Sequence, residues 1–297
     1  MKLLGIVLAV QVALGLTLVA LVATDNVPFV GDDDASGKAS PAAPAAAVDR
    51  FDGAAAFRLL RRQVEIGPRP AGSPESLRLA RFLKRSVPRG RFQKVPHGLR
   101  NVVGTVRGRE PGYIVVGAHY DTKDIPGFVG ANDGASGTAV TLRLARTLRR
   151  PRHSIKFVFF DGEEAPRGVP DSKFERYGIR GAKVAAPAFR DARAMILLDF
   201  VGDKHLRIPR EAYSDLRLWK RLRGAAKRVG ASSVFPDDNF GGVLDDHIPF
   251  LRHGVRSIDL IDFDFPCWHR LCDDMSAVSE RSVDAVGETI YELLQGL

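Results

Sequence analysis

The chain has 297 residues, of which 45% are apolar and 8% aromatic, and its formal net charge is +9. These values provide a sizeable core for one large domain or two small ones and exclude a chain too polar to fold. The positive charge permits attraction to nucleic acid, an anionic membrane face or acidic peptides, with a solvated basic surface as the plain reading.

Leu3 to Ala23 is apolar apart from Gln11 and Thr17, about the length that crosses a bilayer as a helix. Lys2 precedes it and Asp32, Asp33 and Asp34 follow it, which directs the remainder out of the cytoplasm. Residues 1–23 are therefore expected to be a transmembrane anchor or a cleaved signal peptide, and the protein extracytoplasmic, membrane-anchored or secreted. Residues 24–50 are acidic, then rich in Ala, Pro and Ser, and read as a flexible linker.

From Phe51 to Leu297 the pattern is globular. "AAAFRLLRRQV" and "PESLRLARFLKRSV" carry apolar residues at helical spacing, split by the turn-rich "GPRPAGS". "NVVGTVRG" and "GYIVVGAHYD" predict strands, the second apolar enough to be central. "GASGTAVTLRLARTLRR" predicts a helix leaving a glycine-rich loop, and "SIKFVFFDGEE" a strand ending in acids. "AMILLDFVGD" repeats that design, "SDLRLWKRLRGAAKRVG" predicts a basic helix, "VRSIDLIDFD" a strand and "SERSVDAVGETIYELLQ" a closing helix. Strands alternating with helices predict a single α/β domain around a central mixed, largely parallel sheet flanked by helices.

Metal-ligand residue types recur where the strands end: His119 and Asp121, then Asp161, Glu163 and Glu164, then Asp199. Asp133 stands among glycines in "GANDGASG", and His269 follows the last strand. In open α/β sheets ligands bind beyond the carboxyl ends of the strands, so five segments deliver His, Asp and Glu to one edge. Taken singly, each is more simply a turn or surface residue. Together they form a carboxylate cluster that needs a cation to be tolerable when buried. Imidazole and carboxylate ligands suit zinc, as one ion or as two about 3.5–4 Å apart. Glu163 and Glu164 are adjacent, so one can bind metal while the other transfers protons. Cys267 and Cys272 are the only cysteines, and in an exported chain they can form a disulfide.

"GAHYDT", "GANDGASG", "FFDGEEA", "LLDFVGD" and "WHRLCDD" stand in the order of a known family. From Phe51 onward the chain resembles the zinc exopeptidases of peptidase family twenty-eight, which include bacterial zinc aminopeptidases and animal glutaminyl cyclases. The resemblance implies His119 and Asp199 on one zinc, Glu164 and His269 on the other, and Asp133 bridging them. It implies Glu163 as general base and Asp121 as the residue orienting His119. "LDDHIPFLRHGV" looks like the cyclase branch, where one zinc on the counterparts of Asp133, Glu164 and His269 polarises an N-terminal glutamine. There the counterparts of Asp199 and Asp245 form a supporting acid network, and Trp268 matches a substrate-pocket aromatic.

Two departures stand out. Asp259 occupies the place of a network histidine, where it is expected at the substrate site, and "APRGVPDS" lacks a pocket tryptophan. On these grounds the sequence favours an aminopeptidase that hydrolyses peptide N-termini, with glutaminyl cyclisation as the alternative. The implied substrates are peptide or protein N-termini. A membrane is the implied partner through the N-terminal segment, if uncleaved. A binding module on a dead peptidase fold is disfavoured because every matched ligand is present. Nucleic-acid binding is disfavoured because the basic helices bring no stacking platform.

Overall fold

The computed structural model describes residues 42–297. The proposed anchor at 1–23 and most of the linker lie outside the described residues, and no described helix is long and apolar enough to cross a membrane. Residues 42–50, expected to be flexible linker, instead pack on the domain. Ala43 is buried, the Ala47 N–H donates to the Val229 carbonyl at 2.9 Å, and the Arg50 N–H donates to Glu288 Oε1. Small alanines let this segment lie close against the surface, so the globule begins before Phe51.

Helices α1 (Gly53–Val64) and α2 (Pro74–Ser86) come first. Ser73 caps α2 by accepting the Ser76 N–H, with Pro74 in the first turn, the placement that satisfies free amide groups. The sheet follows as β1 (Arg91–Lys94), β2 (Arg100–Val106), β3 (Glu110–His119), β4 (His153–Phe160), β5 (Met195–Asp199) and β6 (Ser257–Ile261). Its order is β1-β2-β4-β3-β5-β6. Neighbours among β3, β4, β5 and β6 pair in parallel, while β1 and β2 add an antiparallel edge. Interleaved are α3 (Ala135–Thr147), the one-turn α4 (Phe174–Tyr177), α5 (Arg180–Ala188), α6 (Leu216–Arg228), α7 (His247–Arg252) and α8 (Glu280–Gly296).

Strand side chains alternate between faces. Val116, Phe157, Ile196 and Leu198 join one large core with Leu60, Leu79 and Ile290. Their neighbours Val115, Val158, Met195 and Leu197 join a second core with Ala182, Ala185 and Phe250. Both faces being covered explains the near-continuous apolar strands. Helix α3 lies close on the sheet because Gly137 carries no side chain; a Cβ there would stand 2.0 Å from the Leu198 carbonyl oxygen. The parallel arrangement sends the C-terminal ends of β3, β4, β5 and β6 to one edge, which is where the site assembles.

Candidate metal centre and cavity

His119 is the last residue of β3, and Asp199 the last of β5. His119 Nε2 lies 3.2 Å from Asp133 Oδ1 and 3.2 Å from Asp199 Oδ1. His269 Nε2 lies 3.2 Å from Glu164 Oε1 and 3.5 Å from Asp133 Oδ2. Two triads, His119–Asp133–Asp199 and Asp133–Glu164–His269, thus share Asp133, one carboxylate oxygen toward each. The five sequence-predicted ligands therefore converge.

Local backbone explains the convergence. Asp121 stands 3.8 Å from His119 Nδ1 and accepts the N–H groups of Gly162, Glu163 and Glu164 at 3.0–3.2 Å. These three bonds fix the turn that presents both glutamates, whereas at 3.8 Å Asp121 faces the His119 imidazole without a hydrogen bond. Gly134 has φ of 82°, and a Cβ there would stand 2.7 Å from the Asp121 carbonyl oxygen, so glycine lets the Asp133 loop cross beside β3. Phe200 and His269 adopt φ of 46° and 52°, left-handed values that cost energy in non-glycine residues and cluster at functional sites.

Two residues not read from the sequence, Asp273 and Arg69, position this loop, and a third, Lys123, meets Glu164. The Asp273 carboxylate accepts the N–H groups of Asn132 at 2.7 Å and Asp133 at 3.0 Å. Arg69, fully buried, donates to the carbonyls of Val129 at 2.8 Å and Gly130 at 3.3 Å; burial lowers its pKa to about 10. Lys123 meets Glu164 Oε2 at 3.1 Å. Arg69 and Asp273 are marked by their burial, which is not written in local sequence pattern.

Electrostatics mark the site as short of positive charge. Burial first, then the Glu164 charge, raise Asp133 to about 6. Burial likewise raises Asp199 to about 6. Glu163 is pushed well above its usual range by burial and by Glu164. Glu164 is lowered: burial works upward, but contact with His269 and the His269 and Lys123 charges outweigh it. Burial alone would lower His119, yet Asp199, Asp121 and Asp133 hold it well above its usual value. The buried atoms Asp133 Oδ2, Glu164 Oε1 and His119 Nδ1 make no hydrogen bond of acceptable geometry. Orphaned ligand atoms in a two-imidazole, three-carboxylate set fit a divalent cation. Cys267 and Cys272 form a disulfide and are not ligands.

Above the triads lies a cavity of about 280 Å³ reaching Glu163, Asp199 and His269. Phe174, Phe263 and Trp268 help to wall it. Trp268 stacks on the His269 ring at 4.6 Å, and Phe263 leans on Trp268 at 5.2 Å. Asp245 also lines the cavity. Asp259, expected to meet substrate, does not: it is fully enclosed in β6, because its side chain turns into the sheet's covered face. There Asp259 Oδ2 faces His247 Nδ1 at 3.5 Å, and His247 Nε2 faces Glu211 Oε2 at 3.4 Å. Burial, then the Asp245 charge, raise Asp259 well above the usual carboxylate range. Asp161 is likewise no ligand; it accepts the Arg100 N–H at 2.9 Å.

Residues 101–294 match the model of Peptidase family M28. The chain is 29% identical over 243 residues to the glutaminyl-peptide cyclotransferase of Bos taurus, covering 67% of each. Among solved structures it resembles a leucine aminopeptidase precursor from Bacteroides thetaiotaomicron, with TM-score 0.76, 27% identity, and 85% of this chain and 99% of that one covered. It also resembles the glutaminyl cyclase of an Acidobacteriales bacterium, with TM-score 0.72, 31% identity, and 83% and 94% covered. The chain spans about two thirds of the length of the curated relatives it matches. The strand-end ligands and the matched span lead to one conclusion: the chain belongs to Peptidase family M28.

Proposed function

We propose that this protein is a zinc-dependent glutaminyl-peptide cyclotransferase, which closes an N-terminal glutamine to pyroglutamate and releases ammonia. The cavity carries this reading. It is small for a ligand pocket, where about 300–1,000 Å³ is usual, and aromatic side chains wall it above Glu163. Such a cleft suits one side chain, with Phe174, Phe263 and Trp268 as its apolar wall. Both sequence departures that favoured hydrolysis have structural counterparts. Phe174 supplies an aromatic wall from the segment after the glutamate pair, and His247 sets an imidazole against Asp259. Similarity to proteins named glutaminyl-peptide cyclotransferase and glutaminyl cyclase supports the same reading.

Asp133, Glu164 and His269 would hold the ion. A zinc ion there would supply Lewis acidity, polarising the side-chain carbonyl of the glutamine. Glu163 accepts the proton from the α-amine as its nitrogen attacks that carbonyl carbon. The new C–N bond closes the ring. Glu163 then returns the proton to the side-chain nitrogen, the old C–N bond breaks, and ammonia leaves. A carboxyl whose pKa is raised by burial suits this two-way transfer. Trp268, stacked on His269, fixes the ligand imidazole and covers the substrate.

A second reading, hydrolysis of the N-terminal residue, is favoured by the His119–Asp133–Asp199 triad beside the first, a donor set for a second ion. Glu163 would then take its proton from water. Product mass spectrometry separates the two. The zinc-loaded protein is expected to convert a Gln-initiated peptide to a product lighter by ammonia, with Phe174→Ala raising KM. Free glutamine and a shortened peptide, without cyclised product, would overturn the proposal in favour of hydrolysis.

A further inference from the structure

We propose a second binding site, for a phosphate group, in a cleft at the N-terminal edge of the sheet. Arg152 and His153 lead into β4, Arg193 lies just before β5, and Arg256 just before β6. Arg217 and Arg221 reach the same cleft from the first turns of α6. The cleft has a volume of about 90 Å³, the share of about three water molecules. Ile114 and Leu218 help to line it.

Five arginines line this cleft from its solvent-exposed rim, so their charges add there to a positive field that favours an anion. Arg152 has a partner, Glu110, at 2.8 Å. The ion pairs among the described residues include none of the other four. Arg221 donates to the Gly296 carbonyl and Arg256 to that of Arg193, neutral acceptors that leave their charge uncancelled. The acid nearest in the chain to this helix face, Asp215, is engaged in capping α6, accepting the Leu218 N–H at 2.7 Å. His153 is 4% exposed, and its Nδ1 has no hydrogen-bond partner. A buried unpaired imidazole nitrogen beside forked guanidinium groups is a donor set for phosphate oxygens. Backbone packing helps to place one fork: Arg193 Cδ would stand 2.9 Å from a Cβ on Gly112.

This cleft is separate from the metal centre. The parallel strands run from one to the other, and the five residues of β5 alone span about 17 Å. The phosphate can belong to a soluble anion or to an anionic lipid headgroup, and the experiment distinguishes them. Inorganic phosphate is titrated calorimetrically into the zinc-loaded protein at constant ionic strength against a chloride control. In parallel, the protein is sedimented with phosphatidylglycerol-containing and purely phosphatidylcholine vesicles. Saturable phosphate binding, weakened at least tenfold in Arg217→Gln/Arg256→Gln, supports the site with a soluble ligand. Sedimentation only with phosphatidylglycerol, lost in the same variant, supports it with a lipid ligand. Both arginines are exposed, so the variant is expected to melt like the parent; if it does not, Arg193→Gln replaces it. Binding of neither probe, or equal binding by parent and variant, overturns the proposal.

Discussion

Removing the Asp273 carboxylate tests how the shared ligand Asp133 is positioned. In Asp273→Ala, the N–H groups of Asn132 and Asp133 lose their acceptor while their surroundings stay closed. Above about pH 8, where Asp273, raised by burial to about 7, is ionised, hydrogen bonds to a charged acceptor contribute about 1.5 kcal/mol or more each, so two predict a loss of about 3 kcal/mol. That is a large share of a typical domain's roughly 5–15 kcal/mol. Asparagine is no remedy, because its amide would turn a donor toward one of the two N–H groups. The loop carrying Asp133 then relaxes, and zinc affinity is expected to fall about 10–100-fold, as for other residues that orient metal ligands. Urea unfolding of the metal-free protein gives the first quantity, and competition with a chromophoric chelator gives the second. Unfolding within about 0.5 kcal/mol of the parent, with unchanged zinc affinity, would refute the reasoning.

Three further outcomes follow from the site and its surroundings. Glu163→Gln keeps the side-chain shape and removes the proton acceptor, so turnover should fall about 10²–10⁴-fold with zinc content unchanged; retained turnover in the zinc-loaded variant contradicts the role. Cys267→Ser/Cys272→Ser opens the small loop around Trp268 and His269 and should cost about 2 kcal/mol by the chain-entropy relation, read by urea unfolding; an unchanged midpoint contradicts it. The metal-free protein should lose stability as pH rises. Burial raises Asp133, Asp161 and Asp199 from 3.8 to about 6, and Asp262 and Asp273 to about 7. Carboxyls that hold their protons more tightly when folded contribute fully below 3.8, and that contribution disappears as pH rises through about 6 to 7. Glu164, held low, works in the opposite direction but is outnumbered. Melting temperature should therefore fall between about pH 5 and about pH 8, and zinc should offset the fall because its ligands bind it deprotonated. A metal-free melting temperature that rises over this window contradicts the assignment.

Strands β2 to β6 and the gathering of acids and histidines at their ends were legible because their signals are local, whereas the four-residue β1 carries no apolar run. Apolar runs ending in His119, Glu163–Glu164 and Asp199 announce both the sheet and the edge that carries chemistry. The one-turn α4, the Pro187-containing α5 and the six-residue α7 were not legible, being too short or interrupted for helical periodicity to register. Asp259 was misplaced because strand alternation says which residues share a face, not which face meets the cavity. Arg69, Asp273 and His247 act through burial and long-range contacts to Gly130, Asp133 and Asp259, which no stretch of sequence contains. Phe174 lies ten residues beyond Glu164 in sequence, and only the fold of the intervening segment brings it to the cavity.

The account stands on a metal centre organised around Asp133. Crystals of the zinc-loaded protein, with anomalous scattering recorded on both sides of the zinc absorption edge, test it directly. The predicted result is a zinc peak bounded by Asp133, Glu164 and His269, absent from His269→Ala crystals. Zinc-loaded crystals with no peak there, or with zinc bound only elsewhere, would contradict it.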